Sequence, residues 1–282
     1  MNAHSVISQD IAVKAQIQAK PLVQAKGVNK VFGPQSTGVV ALKDIDLDIR
    51  PGEFVCLLGP SGCGKSTLLN AIAGFSLPTS GTLEVSGKPV TAPGPDRGMV
   101  FQEYALFPWM TVEANIAFGL EIRGTGKDET TRIVNELLDM LGLKEFRHRF
   151  PKDLSGGMRQ RVAIARVLAL DPPIMLMDEP FGALDALTRR SLQDELLRIW
   201  RSVGKTIVFV THSIEEAVYL GSRVVILTYR PGTIKRDVTI DLPYPRDSNS
   251  VEFNAIKKEL ASLVHAEHDR FALDERKGLT LD

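Results

Sequence analysis

The stretch Gly59-Pro60-Ser61-Gly62-Cys63-Gly64-Lys65-Ser66-Thr67 constrains this chain more than any other. It fits G-x-x-x-x-G-K-[ST], follows the apolar run Phe54 to Leu58, and precedes Leu68-Leu69-Asn70-Ala71-Ile72-Ala73. That order predicts a buried strand, a tight glycine-rich turn and a helix. Glycines let the backbone turn so that successive N–H groups point inward, and the N-terminus of the following helix adds partial positive charge. A loop of this kind holds phosphate oxygens. Lys65 would reach the β- and γ-phosphates of a nucleotide, and Ser66 would offer its hydroxyl to Mg²⁺.

Composition narrows the setting. The chain has 282 residues, enough to bury a core as one large α/β domain or two small ones. Lys plus Arg (34) equals Asp plus Glu (34), so no overall field points to nucleic acid or to an anionic membrane surface. The two cysteines, Cys56 and Cys63, have no partners at metal-ligand spacing, which argues against a disulfide framework or a zinc site and for a reducing compartment. Cys63 lies inside the phosphate loop without a neighbouring His and is expected to be a bystander. Residues 1–20 lack a secretory pattern, and no apolar stretch approaches the roughly 20 residues of a membrane span. The expectation is a soluble chain whose membrane role comes through a partner.

In chain order, residues 1–20 read as a mobile arm and Leu22 to Arg50 as half-exposed antiparallel strand. Pro78 to Gly81 reads as a turn, Thr82 to Ser86 as a short strand, and Met99-Val100-Phe101 as a further buried strand ending at Gln102. Between Glu103 and Asp153 the pattern is helical, over Val112 to Leu120 and then Thr131 to Leu141 with Ile133, Leu137, Leu138 and Leu141 on one face. Ser155 is the expected N-cap of a helix to Leu170. Ile174 to Met177 reads as a central parallel strand ending in Asp178-Glu179, followed by a helix with the stripe Leu192, Leu196, Ile199 and Val203. Thr206 to Val210 is another central strand, Ser213 and Glu216 form a capping box, Val224 to Leu227 and Thr233 to Val238 a strand pair, and Val251 to His265 an amphipathic helix packed on the body. The fold class expected is α/β, with a mainly parallel core, an antiparallel β subdomain before the phosphate loop and a helical subdomain at about 103–160. The expected domains are an arm (1–20), a core domain (21–250) and a C-terminal helix and tail (251–282).

A strand that ends in Asp178 supplies the second magnesium contact a phosphate-loop nucleotidase needs, and the adjacent Glu179 could polarise an attacking water. Leu154-Ser155-Gly156-Gly157-Met158-Arg159-Gln160-Arg161 then resembles the signature motif of ATP-binding-cassette ATPases. The resemblance spans about residues 22 to 240. Gln102 matches the family's glutamine loop, Gly182-Ala183-Leu184-Asp185 its D-loop, His212 its switch histidine, and Phe32 the aromatic that stacks on adenine.

The resemblance implies the fold of that family and ATP hydrolysis with Mg²⁺, the ion held by Ser66, Gln102 and Asp178. It implies catalysis by Glu179, His212, Lys65 and Gln102, and nucleotide contacts from Phe32, the loop Gly59, Pro60, Ser61, Gly62, Cys63, Gly64, Lys65, Ser66 and Thr67, and from Asp178. Ser155, Gly156 and Gly157 form a second anion site at a helix N-terminus, which one phosphate loop cannot use from the same chain. In the family two chains meet head to tail, so Ser155 to Gly157 and Asp185 complete the partner's site. The run Pro93 to Val112, with its Pro108-Trp109, resembles nitrate/sulfonate/taurine importer ATPases, in which Leu106, Phe107, Pro108 and Trp109 would meet a permease. The length after His212 is too short for the added regulatory domain of sugar-importer ATPases. The expected setting is the cytoplasmic face of the inner membrane, with a periplasmic or surface substrate-binding protein as indirect partner and no nucleic acid. Another importer type, an exporter, or a soluble cassette acting on nucleic acid stay as alternatives.

Overall fold

A computed structural model describes residues 20–34 and 38–278, with backbone alone for 268–278. The expected arm lies, apart from Lys20, outside the described residues. Ten strands and seven α-helices are described: β1 (Val23–Phe32), β2 (Val39–Ile49), β3 (Phe54–Leu58), α1 (Lys65–Ala73), β4 (Ser80–Val85), β5 (Lys88–Pro89), β6 (Arg97–Val100), α2 (Val112–Ile122), α3 (Lys127–Met140), α4 (Gly156–Ala169), β7 (Ile174–Asp178), α5 (Ala186–Val203), β8 (Thr206–Thr211), α6 (Ile214–Leu220), β9 (Arg223–Leu227), β10 (Ile234–Thr239) and α7 (Val251–Gly278).

The strands form two sheets. One is a four-stranded antiparallel sheet ordered β2-β1-β4-β5, and the other a six-stranded sheet ordered β10-β9-β3-β8-β7-β6. All neighbours in the second sheet are parallel except the β9–β10 pair. Strand alternation explains why β3, β7 and β8 read as continuous apolar runs, since both faces of the parallel sheet are covered. Phe54, Cys56, Leu58, Met175, Met177, Ile207 and Phe209 face α4 to α7. Val55, Leu57, Ile174, Leu176, Val208 and Val210 face the other way, onto α1 and the antiparallel sheet. Each such buried side chain contributes about 1.5–3 kcal/mol, so these two layers supply most of the drive that fixes the sheet.

Helix α4 belongs to two cores at once. Ala163, Ile164 and Val167 pack on the parallel sheet, while Val162, Ala165 and Ala169 pack with Val112, Ile116, Leu120, Leu137 and Leu138 of the helical layer. It therefore runs on to Ala169, past the expected end of the helical subdomain, and ties that subdomain to the sheet.

Several expectations need correction. Strand β6 ends at Val100, and Phe101 stands 37 % exposed because β6 is the sheet's edge and the chain turns outward there. Ser80 and Gly81 begin β4 and do not belong to a turn. Val203, at the end of α5, is 38 % exposed and leaves the stripe. Only half of the capping box forms: Ser213 Oγ accepts from the Glu216 N–H at 3.3 Å, but the Glu216 carboxylate accepts from Thr211 Oγ1 (2.6 Å) and Gln193 Nε2 (3.0 Å). Thr211 Oγ1 itself accepts from the Ser213 N–H at 3.0 Å, taking the place a capping box gives to the glutamate.

Helix α7 packs through Phe253, Ile256, Leu260, Leu263 and Val264. Leu260→Ala should lower stability by about 2–5 kcal/mol through the cavity it leaves, whereas Val251→Ala, at a residue 80 % exposed, should stay within about 0.5 kcal/mol. Guanidinium midpoints of the two variants test this, and equal midpoints would mean that α7 is not docked.

Candidate functional site

The phosphate loop leaves β3 at Leu58 and enters α1 at Lys65. Gly64 is the N-cap with φ 99°, and a Cβ there would lie 2.7 Å from Leu42 Cδ2 and 2.9 Å from the Ala41 carbonyl, so only glycine fits. The cap uses no side chain, and the first N–H groups of α1 are free to face an anion. Lys65 is only 5 % exposed, and its ammonium donates to the carbonyls of Gly59 (2.8 Å) and Pro60 (2.9 Å) within the loop. Burial pushes the neighbouring Cys63 thiol up, partly offset by Lys65, which keeps it protonated and fits its expected bystander part.

Ser66 Oγ donates to Asp178 Oδ1 at 2.8 Å, joining the head of α1 to the end of β7. Burial also pushes the Asp178 carboxyl above its usual range. The Ser66 hydrogen bond and Lys65 pull it back, and the charge of Glu179 adds to the rise. Among the described residues no three His, Cys, Asp or Glu side chains cluster as a metal cage. A hydroxyl and one carboxylate are instead the sparse, hard-oxygen donor set that suits Mg²⁺ bound together with phosphate oxygens.

Glu179 follows directly, with φ 43°, a left-handed conformation that costs a non-glycine residue about 1–3 kcal/mol. Its N–H donates to the Val210 carbonyl at 3.1 Å, and its Oε2 lies 3.0 Å from His212 Nδ1. The strained turn thus aims the carboxylate at the end of β8. Gln102 joins them: a Cβ on Gly182 would lie 3.8 Å from Gln102 Nε2 and 4.0 Å from Glu179 Oε2. The glutamine, Glu179 and Gly182 form one small group next to the Ser66–Asp178 pair. Phe32, at the end of β1, is 48 % exposed, with Lys30 Nζ 5.1 Å from its ring centre.

Ser155 to Gly157 stand apart from this group. Ser155 Oγ caps α4 by accepting from the Met158 N–H at 3.3 Å. The nearest atoms to Cβ positions on Gly156 and Gly157 belong to Leu184, Tyr104, Thr188 and Leu192, none of them in the phosphate loop. Asp185 caps α5, accepting from the Thr188 N–H at 3.0 Å, and hydrogen bonds from the Thr188 side chain and then its backbone hold the carboxyl below the usual range. A groove of about 650 Å³ is lined by Phe101, Phe107, Phe118, Ile122 and Arg166 among others. Trp109 is 69 % exposed and packs tilted against Phe107, with ring centroids 5.6 Å apart. Leu106 is half-buried and packs against both cores.

The family model for ABC transporters matches residues 42–182, half of the chain. The chain belongs to the ABC transporter family. Among ABC transporter relatives, it is 51 % identical over 232 residues to the nitrate import ATP-binding protein NrtD of Synechocystis sp., covering 82 % of this chain and 87 % of that one. It is 47 % identical over 252 residues to the aliphatic sulfonates import ATP-binding protein SsuB of Bacillus subtilis, covering 89 % and 94 %. The ABC cassette MJ0796, solved as a dimer in a post-hydrolysis state with ADP and Pi, superposes with a TM-score of 0.68 at 35 % identity, covering 78 % of this chain and all of that one. As an ABC transporter ATPase the chain uses ATP and Mg²⁺.

Two supporting residues carry no motif. Asn115, fully buried on α2, accepts from the Phe107 N–H at 2.9 Å and donates to the carbonyls of Phe107, Met110 and Thr111, fixing the segment that holds Phe107 and Trp109. Arg166 donates to the Ala105 (2.7 Å) and Tyr104 (3.3 Å) carbonyls from α4. A polar residue at a helix's apolar position is the one sequence signal for Asn115.

Because folded Asp178 holds its proton more tightly than the unfolded chain, its charge costs stability at neutral pH, and that cost vanishes below about pH 4. Asp178→Asn should melt higher than the parent at pH 7 without metal or nucleotide, with the gap closing towards about pH 4. A lower melting temperature at pH 7 contradicts the burial cost assigned to Asp178.

Proposed function

We propose that the chain is the ATP-hydrolysing subunit of an importer for a small anion or organosulfur compound, working as a head-to-tail homodimer under a membrane permease. The observation that carries the ATPase part is the Glu179–His212 contact beside the Ser66–Asp178 pair at one sheet edge. The import part leans on the relatives, which are named for nitrate and aliphatic sulfonate import. Among the described residues no helix is long and apolar enough to cross a membrane, so the permease is a separate chain in this reading, and the subunit sits peripherally on the cytoplasmic face.

In the proposed reaction Phe32 stacks on adenine while the loop Gly59 to Thr67 cradles the phosphates, with Lys65 on the β- and γ-groups. Ser66, Asp178 and Gln102 would hold Mg²⁺, which would supply positive charge to neutralise the phosphate oxygens. Glu179 takes the proton of the attacking water, and His212 holds the γ-phosphate. The partner's Ser155 to Gly157 segment closes the other side of each nucleotide, with Asp185 at the seam. Support for this composite site comes from the immediate neighbours of the α4 head within one chain, Leu184, Tyr104, Thr188 and Leu192, none of them in the phosphate loop. Loss of the γ-phosphate then removes the bridge between the subunits. The exposed Phe101, Trp109 and Ile122, with the half-buried Phe107 among them, supply the permease contact, because Trp and other aromatics are enriched at interfaces.

Glu179→Gln should bind ATP normally, lose about 10²- to 10⁴-fold in turnover and accumulate as an ATP-bound dimer in gel filtration. Near-normal turnover removes Glu179 from the proton-transfer role. Ser155→Arg should abolish hydrolysis while a monomer still binds ATP. Ile122→Glu should release the permease in co-purification, whereas Val251→Glu, similarly exposed but on α7, should not. For the whole reading, loss of nitrate or alkanesulfonate uptake on deleting the gene is the expected result, and nucleic-acid-stimulated ATPase activity without a permease is the contrary one.

A further inference from the structure

We infer that Arg230 is a positioning residue of the phosphate loop, bracing Gly62 from outside, and that the buried Glu267 of α7 holds the segment that carries it. The inference rests on the reading of Gly59 to Thr67 as the ATP-binding loop and adds a second cation to it.

Strand β9 lies parallel to β3, with Leu58 opposite Ile226, so the chain leaving β9 emerges at the same sheet edge as the phosphate loop. The turn from Thr228 to Thr233 is tightly tied. The Thr228 N–H donates to the Thr233 carbonyl (2.9 Å), the Thr233 N–H to Thr228 Oγ1 (2.9 Å), and Thr228 Oγ1 lies 2.9 Å from the Pro231 carbonyl. Gly232 stitches the turn to β2, donating to the Ala41 carbonyl (3.0 Å) and accepting from the Lys43 N–H (2.9 Å). It lies so close to the phosphate loop that a Cβ there would be 2.2 Å from the Cys63 carbonyl oxygen. This turn is therefore a rigid wall against the phosphate loop.

Arg230 projects from that wall. Its Nε donates to the Gly62 carbonyl at 3.3 Å, and its Nη2 is 3.3 Å from where a Gly62 Cβ would be. Lys65 already holds the carbonyls of Gly59 and Pro60 from within. Two cations thus bind three carbonyls of the loop. A cation on the Gly62 carbonyl fixes the orientation of that peptide, whose N–H (of Cys63) donates to the Pro60 carbonyl at 3.3 Å, and so favours the loop conformation that receives the anion. Arg230 makes no contact with Glu179 or His212 among the bonds formed, so its effect falls on nucleotide binding and not on the proton-transfer step.

The anchor lies on α7. Glu267, 2 % exposed, accepts from the Tyr229 N–H (3.0 Å), one residue before Arg230, and from Lys235 Nζ (2.8 Å). Lys235 also donates to the Leu263 carbonyl at 3.0 Å. The C-terminal helix therefore grips the wall at the residue next to the cation.

The test measures equilibrium binding of ATP, ADP and AMP, together with steady-state ATPase kinetics, on the full chain and on Arg230→Ala, Arg230→Lys, Glu267→Gln and the Arg230→Ala/Glu267→Gln double variant. Arg230→Ala should weaken ATP and ADP by about 3- to 10-fold, as for one lost hydrogen bond, and raise KM by the same factor with kcat within about twofold. AMP, which lacks the phosphates the loop holds, should be unaffected. Arg230→Lys should recover part of the loss, and the double variant should lose less than the product of the single losses, because Glu267 acts through Arg230. Unchanged ATP and ADP affinities in Arg230→Ala, an equal loss for AMP, a fall in kcat at constant KM, or additive losses in the double variant each overturn the inference. Failure of the parent chain to bind ATP at all would overturn the reading of the phosphate loop instead, so the two failures are distinct.

Discussion

The register of four parallel strands is the constraint on which the site depends. Leu58 of β3 pairs with Thr211 of β8, Val210 of β8 with Asp178 of β7, and Met177 of β7 with Val100 of β6. These pairs bring the strand ends to one edge, so the next residues, Gly59, His212, Glu179 and Phe101-Gln102, leave the sheet side by side. A slip of one residue in any pair would turn apolar side chains to the wrong face of a sheet covered on both sides. The apolar layers on the two faces therefore fix the chemistry at the edge.

Helix α4 carries the same constraint outwards. It is wedged between the parallel sheet and the helical layer, so Ser155 at its head cannot move without disturbing two cores. A rigid Ser155 segment whose immediate neighbours lie outside its own phosphate loop suits a partner approaching from outside. The β9–β10 turn plays a comparable part on the other flank, where Gly232 and Arg230 back the loop that Lys65 fills. The phosphate loop is thus supported by neighbours distant in sequence, and its own residues are only half of what shapes it.

Local chemistry makes much of this legible in the amino-acid sequence itself. The glycine spacing, the apolar run ending in Asp178-Glu179 and the Ser155 cap each have a cause within a few residues, and each element forms where those causes place it. Features set by contacts across long separations are not legible in this way. Phe101 is exposed because β6 is an edge strand, and strand order is not a property of its own window. Leu106 is half-buried because it packs against both cores. Glu216 leaves the capping box because Thr211 and Gln193 compete for its carboxylate. The left-handed turn at Glu179 has no composition signal at all, since glutamate does not favour it.

The claim that ties these together is that each nucleotide site is shared between two chains. The direct measurement is ATP stoichiometry in a mixture of two defective chains, one Lys65→Ala and one Ser155→Arg, both carrying Glu179→Gln to prevent turnover. Shared sites predict that neither chain alone forms an ATP-bound dimer, while the mixture forms a dimer holding one ATP per two chains. A mixture that forms no such dimer, or a Ser155→Arg chain that forms an ATP-bound dimer alone, would contradict the account.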